Sequence, residues 1–119
     1  MGEFQRFVVD LGKQAGAGGQ RQAVLLARLL LRDPNIVLLD EPTASLDDHT
    51  EREFLQRLGT WLAGRTLIVA THRTAVMSII DRVLVLKEGQ LVMDMPKEQA
   101  LSRSAALAAS GGENEKQRA

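Results

Sequence analysis

The spacing of apolar residues changes several times along this chain. In FQRFVVDL, residues 4 to 11, the run is too short for period alone to separate a strand from a helix turn. From Gln20 to Arg32, Ala23, Leu26, Ala27 and Leu30 recur at helical spacing, and Val24 and Leu31 widen the face. Asp33-Pro34 ends that helix, because the residue before proline is pushed out of the α region. NIVLLDEP follows, an unbroken apolar run closed by two acids and a proline. It predicts a strand buried on both faces, as in a parallel sheet. A helix is expected over Asp47 to Leu62, with Phe54, Leu55, Leu58, Trp61 and Leu62 as its apolar stripe. Asp47, Asp48 and Glu51 fall in its first turn, where the helix dipole favours acids.

Gly64 closes that helix, and RTLIVATH reads as a second buried strand. A short helix over Thr74 to Ile80 comes next. DRVLVLKEGQLVMDM alternates as a hairpin turning at Lys87 to Gln90, with Gly89 supplying a positive φ. PKEQALSR begins a last helix with Pro96 in its first turn. Strands alternating with helices predict an α/β layered fold with a mainly parallel sheet and a C-terminal hairpin. In such sheets chemistry collects at the carboxyl ends of strands. Asp40 and Glu41 end one strand, and Thr71 and His72 end the next.

Composition narrows the classes. The 119 residues suit one domain, and 45% hydrophobic with 25% charged residues is ordinary for a globular chain. Fifteen basic residues balance fifteen acidic ones, so no overall field favours nucleic acid or an anionic membrane. The absence of cysteine removes disulfides, thiolate metal sites and thiol chemistry. No apolar run approaches the roughly 18 to 20 residues a membrane helix needs, and the N-terminus has no signal-peptide core. The chain is expected to be soluble by itself.

The Asp40-Glu41 pair invites a division of labour. One carboxylate can hold a hydrated Mg²⁺, and the other can orient or deprotonate a water. A polar strand exit before proline is the plainer alternative. His72 alone reads as a structural histidine, but its place beside the acids of the neighbouring strand would let it donate to a terminal phosphate. Ser45 and Asp48 match a capping box, which needs no function. GKQAGAGGQRQ has the glycines of a phosphate loop before a helix, but lacks the Lys-Ser or Lys-Thr of a P-loop. It also reads as a simple connection into that helix.

Taken in order, GGQRQ with its following helix, IVLLDEPTASLD and LIVATHR resemble the signature motif, Walker B motif, D-loop and switch histidine of ABC-transporter ATP-binding domains. The resemblance covers about residues 9 to 100 and implies a partial P-loop NTPase-like layered fold without its Walker A strand. Residues 1–8 are then a lead-in, 9–101 the later half of the ATP-binding domain, and 102–119 a disordered tail. It implies ATP and Mg²⁺ as ligands, with Asp40 coordinating Mg²⁺ through water and Glu41 as the base. His72 would contact the γ-phosphate, and Ser45 and Asp47 would form the D-loop that reaches across a dimer. Ala17, Gly18, Gly19 and Gln20 would cover the nucleotide held by the opposite subunit. Implied partners are a second ATP-binding domain and the membrane domains of an exporter, on the cytoplasmic face of a bacterial inner membrane. No nucleic acid is expected. THR after the switch strand and the stretch VVDLGKQAGAGGQRQAV resemble exporters, and RQAVLLARLLLRDPNIVLLDEPTASLD and LVMDMPKEQAL resemble type I protein-secretion ATPases among them.

The sequence also departs from the family pattern. Gly16 and Ala17 stand where Leu-Ser is usual, which removes a hydroxyl worth about 1.5–3 kcal/mol toward a charged phosphate. No G-x-x-x-x-G-K-[ST] occurs in the 119 residues. ATP hydrolysis by this chain alone is therefore expected to be negligible, and the missing central strand should leave exposed sheet edges. Two other readings stand beside this one. The chain could be a non-enzymatic interaction module for a Walker A-bearing partner. It could also be half of a DNA-repair ATPase, which would lack the exporter-like stretch before the signature.

Overall fold

A computed structural model describes residues 2–14, 16–104 and 106. The chain divides into two compact units between Ile79 and Ile80.

The first unit opens with helix α1, Glu3–Gln14, which buries Phe4, Phe7, Val8 and Leu11. Those positions follow the i, i+3, i+4, i+7 rule for one helix face. Residues 3–8 are thus part of the core rather than a lead-in. Helix α2, Ala17–Arg32, starts three residues earlier than its apolar period predicts, and Asp33 in the left-handed region closes it. Strand β1, Ile36–Asp40, pairs in parallel with β2, Thr66–Ala70, so that Asp40 lies opposite Ala70. Helix α3, Asp48–Trp61, crosses between them, and a 3₁₀ helix over Thr74–Ile79 ends the unit.

The core is aromatic and leucine-rich. Phe54 and Leu58 are fully buried, and the rings of Phe4 and Phe7 lie 6.0 and 5.9 Å from that of Phe54. Arg65 locks the exit of α3: its guanidinium stacks 4.1 Å from Trp61 and donates to the carbonyl of Pro34 and to Asp33. Gly64, at φ +79°, makes the reversal before it possible.

One expectation fails in the sheet. Val37 is 1% exposed, but Ile36, Leu38 and Ile68 are 66%, 73% and 55% exposed. Residues paired in parallel register share a face, so these three form one open apolar surface. β1 and β2 are covered on one side only, because the described residues supply a single layer.

In the second unit, β3, Arg82–Lys87, and β4, Gln90–Pro96, form an antiparallel hairpin. Glu88 and Gly89 have φ of +52° and +77°, the two positive angles of a type I′ turn, as the Lys87 to Gln90 turn predicts. Val92 falls between the paired positions Leu91 and Met93, a bulge that twists the ribbon. Arg82 and Asp94 form an ion pair across it. Pro96 ends β4, and helix α4 runs over 97–104. The expected disordered tail from residue 102 is therefore corrected for 102–104, while 107–119 lie outside the described residues.

Candidate functional site

The carboxyl ends of β1 and β2 bring four polar residues together. Asp40 is the exposed last residue of β1. Glu41 follows in the left-handed region at φ +45°, an uncommon conformation for a residue other than glycine, and its N–H donates to Ala70 O at 2.8 Å. That backbone turn swings the Glu41 side chain toward the end of β2. Its carboxylate accepts from the Thr71 hydroxyl at 3.0 Å and from the His72 backbone N–H at 3.2 Å. The His72 Nδ1 lies 2.8 Å from the same oxygen that the backbone N–H reaches. Burial works to raise the Glu41 pKa, but the hydrogen bonds from His72 and Thr71 and the nearby imidazole outweigh it, and the carboxyl is held below its ordinary value. The His72 ring is otherwise 85% exposed, so its Nε2 edge is free to meet a ligand.

Two short turns, Ala44 N–H to Glu41 O and Leu46 N–H to Thr43 O, carry the chain from the strand end to α3. Asp47, at φ −70° and ψ 167°, is the N-cap and accepts from Thr50 N–H at 2.7 Å. This corrects the expected capping box, since Ser45 does not cap. The Ser45 hydroxyl instead donates to Gln22 of α2 at 2.7 Å. Ser45, expected in the D-loop, therefore sits against the helix that carries the expected signature residues of the same chain. Gln22 is the last residue of the GGQRQ stretch, yet nothing in that stretch points to Ser45 as its partner.

The signature residues differ from a loop. Gly18, Gly19 and Gln20 lie in the first turn of α2, where Gly16 is an N-cap with no side-chain cap and Gln20 N–H donates to Gly16 O at 3.0 Å. Ala17 opens the helix, and its side chain lies outside the described residues. A cavity of about 870 Å³ reaches this turn and is lined by Arg6, Asp10, Gly18, Ser45 and Asp47 among others. Asp40, Glu41 and His72 do not line it. The predicted residues thus form two clusters, one at the strand ends and one at the signature turn.

Glu51 and Arg73 make a further contact that no local pattern of residues foretells. Glu51 is buried, not a solvated first-turn acid, and Arg73 meets it with two nitrogens at 2.7 and 3.2 Å. Those bonds, with the Thr43 hydroxyl nearby, hold the Glu51 pKa down. Thr43 Oγ1 is fully buried beside this carboxylate but outside hydrogen-bond geometry, the buried side-chain polar atom without a partner among the described residues.

Comparison with known proteins fits this geometry. Residues 1–44 match the family model described as ABC transporter. The sequence is 38% identical over 93 residues to an ATP-dependent lipid A-core flippase of Hahella chejuensis, covering 78% of this chain and 16% of that protein. It is 42% identical over 92 residues to ATP-binding cassette sub-family B member 6 of Xenopus tropicalis, covering 77% of this chain and 11% of that one.

The chain belongs to the ABC transporter ATP-binding domain family.

Its fold agrees with that membership. A bacterial Atm1-family ABC exporter with ATP bound superposes with a TM-score of 0.72 and 27% identity, over 91% of this chain and 22% of that one. A dimeric bacterial ABC transporter cassette gives 0.67 and 30% identity, over 80% of this chain and 44% of that one. The similar proteins include exporters, and the chain spans a small part of their length. No helix among the described residues is long and apolar enough to cross a membrane.

Proposed function

We propose that this chain supplies the hydrolytic and signature elements of an exporter's ATP-binding domain and takes its phosphate cradle from a Walker A segment outside the 119 residues. The observation that carries this is the hydrogen-bonded Glu41–His72 pair at the ends of adjacent parallel strands, with Asp40 beside it. Glu41 is ionised at neutral pH, the form a general base requires, and its hydrogen bonds fix its direction. His72 approaches the γ-phosphate through Nε2. Its Nδ1 stays on the Glu41 carboxylate, which leaves Nε2 as the ring nitrogen that can meet a ligand.

Asp40 suits Mg²⁺, an ion that keeps most of its waters and needs few carboxylates. Mg²⁺ bound with the nucleotide supplies charge neutralisation on the phosphates. Asp47 reaches toward a second ATP-binding domain, and Ala17, Gly18, Gly19 and Gln20 cover the nucleotide that domain holds. The absent signature hydroxyl makes that cover weaker than usual.

The open apolar face of Ile36, Leu38 and Ile68 supports the need for a complementing segment, and equally favours a module that binds a Walker A-bearing partner. On the resemblance of its exporter-like stretches, we assign the complete protein to type I protein secretion at a bacterial inner membrane. The relatives carry other names, including a lipid A-core flippase and a glutathione/L-cysteine system of Bacillus subtilis, so cargo is to be tested with the membrane domains in place.

The decisive test compares thermal melts of the full chain, alone and fused behind a Walker A-bearing strand–loop–helix, each with and without Mg²⁺-ATP. The chain alone should show no ligand-dependent rise, and the fusion should show one together with Glu41-dependent turnover. A rise in the chain alone, or turnover that survives Glu41→Gln, would overturn the assignment.

A further inference from the structure

We infer that Glu51 is a positioning residue for the Glu41–His72 pair, acting through Arg73; this rests on the hydrolytic reading of that pair. Glu51 lies in the first turn of α3 and Arg73 directly follows His72, so the contact joins the helix capped by Asp47 to the end of β2. The geometry is a fork. Arg73 Nε and one terminal nitrogen each reach a different oxygen of Glu51, at 2.7 and 3.2 Å, which fixes the guanidinium plane as one bond would not. The Glu51 side chain is 6% exposed, so little water competes for it. Asp48 stands 4.0 Å from the same guanidinium, at the limit of an ion pair.

From Arg73 the connection continues with a forced direction. The Arg73 backbone N–H donates to Thr71 Oγ1 at 3.1 Å. Having accepted there, the hydroxyl donates to Glu41 Oε2 at 3.0 Å. Residues 71 to 73 therefore present four groups to two carboxylates: the Thr71 hydroxyl and the His72 N–H and Nδ1 to Glu41, and the Arg73 side chain to Glu51. Releasing Arg73 frees the segment at one end, and the ring of His72, exposed on its far side, then keeps its angle through the Nδ1 contact with Glu41 alone among the described contacts. The pair thereby transmits the position of the D-loop helix to the imidazole.

The test follows the His72 ring nitrogens by ¹⁵N NMR in the full chain, with Glu41→Gln as the reference for a lost Glu41–His72 bond. Nδ1 carries the proton while it faces an ionised carboxylate, and that preference disappears with the bond. In Glu51→Gln the His72 resonances should move toward the reference while circular dichroism keeps its helical signal. Arg73→Lys, which retains the charge but not the fork, should move them in the same direction. Unchanged His72 resonances in a folded variant would overturn the inference. If Glu51→Gln does not fold, Arg73→Lys decides by the same criterion. Unfolding of both would mark the pair as structural and overturn it as well. The readout needs no nucleotide, so it fails or succeeds independently of the ATPase assay.

Discussion

His72 Nδ1 and Glu41 Oε1 meet at 2.8 Å although 31 positions separate them in sequence. Parallel pairing of β1 with β2 in register is what makes this possible, since it brings two strand exits to one edge. In a Walker A-complemented domain, Glu41→Gln should lower kcat by at least about 100-fold, the usual worth of a positioned general base. His72→Ala should also lower it. Steady-state phosphate release measures both, and a Glu41→Gln enzyme with ordinary turnover would place the base elsewhere.

Asp47 has a second task that ligand assays alone would miss. Its carboxylate caps α3, so Asp47→Ala should lower Tm by roughly 4–8 °C even without nucleotide. Asp47→Ser, another good cap, should recover most of the loss. Differential scanning calorimetry separates the two variants.

Acid should weaken the first unit in a defined window. Glu51 and Asp47 have folded pKa values below their ordinary 4.5 and 3.8, owing to Arg73 and to Thr50 respectively. A carboxyl lowered by folding contributes stability that is complete above its unfolded pKa and lost as pH falls through the folded one. Tm should therefore hold nearly constant from neutral pH to about 5 and then decline. Glu51→Gln should start from a lower Tm and decline less steeply.

Phe54→Ala removes the ring on which Phe4 and Phe7 converge. Its cost of about 3–5 kcal/mol is a large share of a domain's net stability. Urea titration should show loss of the cooperative transition or a strongly lowered midpoint.

Leu38→Lys tests the open sheet face. The side chain already stands 73% exposed, so stability of the chain alone should change by less than about 0.5 kcal/mol. Light scattering should show less self-association, and the ATP-dependent melting shift of the complemented domain should shrink.

What could be read in advance depended on how far a contact reached. The strand ends, the Gly89 turn and the stripe from Phe54 to Leu62 depend on local period and turn chemistry, and each is found. In α1 the helical positions Phe4, Phe7, Val8 and Leu11 are visible, but eight residues also tolerate a strand. The run Ile36 to Leu39 looks buried on both sides because period reports hydrophobicity, not whether a second layer is present. At the start of α3, Ser45 fits a capping pattern, yet the extended Asp47 takes the role with a stronger acceptor. Glu51 satisfied the helix dipole on paper. Its actual partner, Arg73, lies 22 residues away, beyond any local rule.

The open apolar face has a consequence for the chain's life inside a cell. Until Ile36, Leu38 and Ile68 are covered, by further chain or by a partner, they display what chaperones hold and proteases sample, so survival in the cell should follow how fast that cover forms.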